Sequence, residues 1–111
     1  MHGWLDKKSS KPGYFSSYKR VFVTVEDQKL RYYKNKNTTS QKGVIDFTMI
    51  KAKLDPIDDK KFKISVKVKG GQTKEFVFKA LTTGLIGTWM SYINLNLANP
   101  RIEFFSASAS K

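Results

Sequence analysis

Cysteine is absent from the 111 residues, so no disulfide framework, thiolate nucleophile or zinc ribbon can be built. The one histidine, His2, stands at the start of the chain, where a frayed end is expected, and a His-based triad or metal cluster cannot be assembled around it. No apolar run reaches the roughly 18 residues that a membrane-crossing helix needs. Met1-His2-Gly3-Trp4 fits neither a signal peptide nor a myristoylation site, which requires glycine directly after methionine, so a cytoplasmic location is expected. Acids are scarce, and Asp55, Asp58 and Asp59 lack the spacing of a full metal-ligand set; they read as a turn. No constellation for catalysis remains. The expectation is a chain that is not an enzyme and holds neither metal nor cofactor.

What the chain has in abundance is positive charge. Lysine and arginine number 21 against nine acids, for a net +12. Residues 1–42 carry ten cations and three acids, and residues 43–111 carry eleven and six, so the excess belongs to the body and not to a tail. A folded body with that field attracts polyanions, either an anionic membrane surface or nucleic acid. The length suits a single domain with one modest core.

Alternation of apolar and polar residues, the period of half-buried strands, dominates the sequence. In Tyr18–Val25, the set Lys19, Val21, Val23, Val25 alternates with Tyr18, Arg20, Phe22, Thr24, which predicts a strand buried on one face and partly covered on the other. Glu26-Asp27-Gln28 makes a tight turn, and Lys29–Lys34 returns as a hairpin partner. Asn35–Lys42 is a polar loop, followed by a short strand over Val44–Phe47. After the Asp55–Asp59 turn, Phe62, Ile64, Val66 and Val68 point inward and Lys61, Lys63, Ser65 and Lys67 outward. Gly70-Gly71 turns the chain, and Lys74–Ala80 places Phe76, Phe78 and Ala80 inward. Beyond Ala80 the period lengthens: Leu85, Trp89, Ile93 and Leu97 form one helical stripe, with Thr82 or Thr83 as N-cap and Asn99-Pro100 as stop. The reading is mainly β, a seven-stranded bent antiparallel barrel or sandwich capped by one C-terminal α-helix. Residues 1–99 form the domain and residues 100–111 a tail or linker.

These segments, taken in order, resemble a pleckstrin-homology (PH) domain. Gly3-Trp4-Leu5-Asp6-Lys7 is similar to that family's first strand, Tyr18-Lys19-Arg20-Val21-Phe22-Val23 to its second, and Leu30-Arg31-Tyr32-Tyr33-Lys34 to its third. Lys42-Gly43-Val44-Ile45-Asp46 resembles the fourth, Phe76-Val77-Phe78-Lys79-Ala80 the strand before the helix, and Trp89 the family's characteristic tryptophan. The resemblance implies a phosphoinositide headgroup site at the mouth formed by the first three loops. The usual pattern is a lysine ending strand 1, then a basic residue, any residue and an arginine on strand 2. Lys7 matches the lysine. With Arg20 aligned to the arginine, the middle basic position falls on Tyr18, and Lys19 would turn to the opposite face. Tyr32 matches the tyrosine that donates its hydroxyl to a ring phosphate, and Lys42 a basic residue before strand 4.

The headgroup-binding set is therefore Lys7, Lys11, Arg20, Tyr32 and Lys42. Tyr14 and Phe15, in the loop after strand 1, are candidates for membrane insertion. With one expected basic contact missing, phosphoinositide binding should be weak or unselective. The expected partner is an anionic phospholipid, foremost a phosphoinositide, at a membrane surface with which the chain associates peripherally. A protein-interaction domain on the same fold, using Leu85, Ile86, Phe104 or Phe105, is the alternative. Nucleic acid is disfavoured because most aromatics fall on the inward phase.

Overall fold

Alternation becomes a single antiparallel sheet in the computed structural model, which describes residues 1–9, 17–67 and 71–97. Its strands are β1 (His2–Lys8), β2 (Tyr18–Glu26), β3 (Lys29–Tyr33), β4 (Gln41–Asp46), β5 (Lys51–Pro56), β6 (Lys61–Lys67) and β7 (Thr73–Lys79). One helix follows, α1 (Ile86–Asn96), with short 3-10 turns at Thr38–Ser40 and Thr83–Leu85. The strands run in the order β4-β3-β2-β1-β7-β6-β5. β1, the first strand in sequence, lies at the centre. It makes seven residue pairs with β2 but only two with β7, Asp6 with Lys79 and Lys7 with Phe78.

The seven strands and the helix follow the expectation, but the sheet does not close into a barrel. β4 and β5 are its two edges. β4 ends in a turn held by Asp46, whose carboxylate accepts from the Thr48 N–H at 2.9 Å and the Thr48 hydroxyl at 2.6 Å. β5 then forms its whole ladder with β6, from Lys51 opposite Lys67 to Pro56 opposite Phe62. Proline is tolerated there because an edge strand can spare a donor. The turn expected over Asp55–Asp59 is shorter than that, because β5 extends through Asp55 and Pro56, and the strand itself is not apparent in the alternation. His2, expected to fray, pairs with Thr24 inside β1. The polar loop is shorter than expected, since β4 begins at Gln41.

The inward phase supplies the core: Leu5, Val21, Val23, Val25, Leu30, Ile45, Phe47, Phe62, Ile64, Val66, Phe78 and Ala80 are all buried. Each of the phenylalanines among them contributes roughly 1.5–3 kcal/mol by leaving water. Trp89 and Ile93 of α1, followed by Leu97, cover the same core. Trp89 presses so closely on β1 that a Cβ at Gly3 would lie 3.1 Å from its ring. Leu85, counted into the stripe, instead precedes the helix and stands exposed, and neither Thr82 nor Thr83 caps α1, whose N-cap position is Leu85. The helix ends at Asn96; the expected stop, Asn99-Pro100, and the tail 100–111 lie outside the described residues. At its C-terminus, Asn96 Oδ1 accepts from the Gln28 N–H at 2.9 Å. That bond anchors α1 to the β2–β3 turn, where Asp27 and Gln28 hold φ of 54° and 61° as a two-residue hairpin turn requires.

Candidate functional site

The core face of β1 runs Gly3, Leu5, Lys7, each opposite Val23, Val21 and Lys19 of β2. Side chains on paired strands share a face, so Lys7 and Lys19 are the mouth-end continuation of the buried layer. Beside them Tyr32 projects from β3 on the face of Val23, its direct partner. Together with Lys8, Ser9, Val21 and Lys42 these residues line a cleft of ≈ 280 Å³. Four of its seven lining residues are lysines and none is acidic. A smaller recess of ≈ 70 Å³ adjoins it, sharing Lys7, Lys8, Ser9 and Tyr32 and completed by Lys74, Glu75, Phe76 and Val77 of β7.

Tyr32 is the platform of this arrangement. Its ring meets Phe78 edge-on at 6.5 Å between centroids, and burial pushes its phenol pKa up. The Lys7 ammonium sits over the Tyr32 ring at 5.2 Å and over Phe76 at 5.8 Å. Such contacts hold a cation by the ring quadrupole without neutralising it. Burial lowers the Lys7 pKa, and the positive charges of Lys42 and Lys74 lower it further. Gly43, opposite Tyr32 on β4, makes room for the platform: a Cβ there would collide with the tyrosine hydroxyl and ring, 2.8 Å from Cε1.

Lys7, Tyr32 and Lys42 of the expected set thus come together. Arg20 does not join them. Its register partner is Asp6, and both point to the outer face, where Arg20 Nε bonds Asp6 Oδ1 at 3.0 Å. Lys19, expected to face away, takes the place by the cleft, because it shares the phase of Val21, Val23 and Val25. Val21, two residues on and in the same phase, is buried. Tyr18 also lies outward, beneath the Lys79 ammonium at 4.9 Å. Lys11, Tyr14 and Phe15 lie outside the described residues. Among the described residues no three His, Cys, Asp or Glu side chains gather as metal ligands.

An acid-free pocket of ammonium groups from separate strands, floored by an aromatic ring, suits a compact polyanion. Each lysine contributes about 1 kcal/mol near an anionic surface, so convergence is what gives useful affinity.

The family model described as PH domain matches residues 1–98 of the chain. A search of curated proteins gave no match. Among solved structures, the PH domain of Slm1 in complex with inositol 4-phosphate superposes with a TM-score of 0.69 at 16% identity, over 88% of this chain and 96% of that one. The C-terminal PH domain of pleckstrin in complex with D-myo-Ins(1,2,3,4,5)P5 gives 0.67 at 17% identity, over 87% and 96%. The N-terminal PH domain of human ARAP2 gives 0.66 at 25% identity, over 100% and 86%.

Proposed function

The chain belongs to the PH-domain family, and from that membership we propose that it is a non-catalytic module that binds phosphorylated inositol headgroups at a membrane surface. Lys7, Lys19 and Lys42 are the phosphate contacts, and Lys74 extends them on the β7 side. Tyr32 holds Lys7 in place. The observation that carries this reading is the acid-free lysine cleft, in which the Lys7 pKa is depressed by burial and by neighbouring cations. A bound phosphate would relieve that repulsion, so the site gains from an anion what it loses without one. The general field of +12 draws the domain to an anionic leaflet, and the cleft then orients it. Because Arg20 pairs with Asp6 on the outer face, no bidentate grip on one phosphate is available from β2, and selectivity among phosphoinositides should be modest.

Co-sedimentation with vesicles of phosphatidylcholine carrying single phosphoinositides or phosphatidylserine, at low and physiological salt, tests the reading. Binding should favour phosphoinositide over equal charge of phosphatidylserine, and Lys7→Ala with Lys42→Ala should reduce it about tenfold or more. Binding that follows charge alone and ignores the double variant would sink the headgroup site. Exposed Tyr92 and Leu95 on a helix without any charged residue, with exposed Leu85 just before it, support a second reading, a protein-binding surface. Salt-insensitive association with a protein, undisturbed by the lysine variants, would favour that reading instead.

A further inference from the structure

We propose a second phosphate-binding site at the free edge of the sheet, formed by Lys51 of β5 and Lys67 of β6, with Lys53 and the Thr73 hydroxyl beside them. Cross-strand rows on the outer face of β5–β7 carry the argument. Lys51 stands directly opposite Lys67, and Lys67 opposite Thr73. The next row is Lys53, Ser65 and Glu75, and the one after it Asp55, Lys63 and Val77.

On this face an acid answers the cations row after row. Lys63 Nζ lies 3.3 Å from Glu75 Oε2, and Lys53 Nζ 4.0 Å from Asp55 Oδ1. Further along, Lys61 Nζ lies 3.2 Å from Asp58 Oδ2. Among the described residues, the terminal row has two lysines face to face and no acid in ion-pair reach of either. Like charges directly opposite each other destabilise an antiparallel pair. Where the sheet omits the counter-charge lies a shallow, open depression of ≈ 430 Å³, lined by Lys51, Ala52, Lys53, Ser65, Val66, Lys67 and Thr73. An anion seated there supplies what the row lacks.

The residues fit phosphate better than a planar carboxylate. Lysine ammoniums are compact point charges that approach a tetrahedral oxyanion from two strands, while the threonine hydroxyl donates a third bond. No residue is shared with the cleft at Lys7, so occupancy of one site does not require the other. The phosphate can arrive free in solution or on a lipid headgroup, and the two sources separate by experiment.

Amide resonances of the intact chain, titrated with inorganic phosphate and in parallel with chloride at constant ionic strength, give the test. Saturable phosphate-specific shifts at Lys51, Lys67 and Thr73 are expected. Lys51→Gln with Lys67→Gln should weaken the affinity about tenfold, and Lys42→Gln should leave these shifts in place. Lys51→Glu should abolish them while raising Tm, because the carboxylate then faces Lys67; a gain in stability alongside the loss of binding excludes misfolding as its cause. Equal, non-saturating shifts with phosphate and chloride would overturn the proposal. With the site established, vesicles containing phosphatidic acid assign the source. If Lys51→Glu weakens their binding beyond the effect of Lys42→Gln, the phosphate is lipid-borne; if it does not, the site takes soluble phosphate.

Discussion

Lys7 and Lys19 on one face of the β1–β2 ribbon, and Asp6 and Arg20 on the other, are register pairs one residue apart with opposite fates. Asp6 and Arg20 neutralise each other at 3.0 Å, with the arginine side chain 58% exposed. Lys7 and Lys19 oppose each other at the rim of the buried layer, where no acid lines the cleft. Composition alone does not tell the three cations Lys7, Lys19 and Arg20 apart. Strand phase alone decides which pair is a surface ion pair and which is available to a ligand.

Gly43 offers the sharpest way to break this contrast. Gly43→Ala forces Tyr32 off its place under Lys7, and overpacking of this kind costs about 1–3 kcal/mol. Urea unfolding should register that loss, and vesicle affinity should fall with it. Val44→Ala, next in the strand but turned outward and 47% exposed, should stay within about 0.5 kcal/mol of wild type. A second comparison sets Lys19→Ala against Arg20→Ala. Removing Lys19 should weaken binding to phosphoinositide vesicles by about fivefold, the equivalent of about 1 kcal/mol, while removing Arg20 should change it less than twofold. Equal losses would mean that phase does not separate the two faces.

Titration probes the cleft face more gently. With its folded pKa lowered, Lys7 has lost its proton in the native state where the unfolded chain still binds one. Stability therefore rises with pH between the folded value and the ordinary lysine range, and is lower below that window. Tyr32, its pKa raised by burial, acts in reverse and lowers stability as pH climbs past the ordinary tyrosine value. Lys7→Met should abolish the rising limb seen in thermal scans against pH, and should make the domain more stable at neutral pH while depriving it of ligand. The outer pair completes the comparison: Asp6→Asn should cost about 0.2–1 kcal/mol, as a surface ion pair does, with headgroup affinity unchanged.

Much of this architecture is legible in the sequence. Period-two alternation placed Val21, Val23, Val25, Phe62, Ile64, Val66 and Phe78 in the core, and the helical stripe identified Trp89 and Ile93. The same alternation already grouped Lys19 with the buried valines. Aligning Arg20 to a family pattern set that signal aside; in the structure Lys19 lines the cleft and Arg20 pairs with Asp6 on the outer face. β5 escaped notice because Ala52 and Leu54 are a short, half-buried pair among lysines, ending in a proline that read as a turn. Lys74 could not be associated with Lys7 from sequence, since only the β1–β7 pairing brings the two strands together.

That pairing is brief, two residue pairs joining positions about 70 apart in the chain, and one of the four partners is Lys7. The seam between the two halves of the sheet and the wall of the cleft are thus the same stretch of backbone. Contacts so distant in sequence carry a large loop-closure cost. The smaller recess beside the cleft, walled by Lys7 and Lys8 on one side and Lys74 to Val77 on the other, exists only where the last strand docks on the first. A ligand bridging Lys7 of β1 and Lys74 of β7 would fasten the join from outside. By mass action, the ligand-bound domain should resist proteases that attack the opened form.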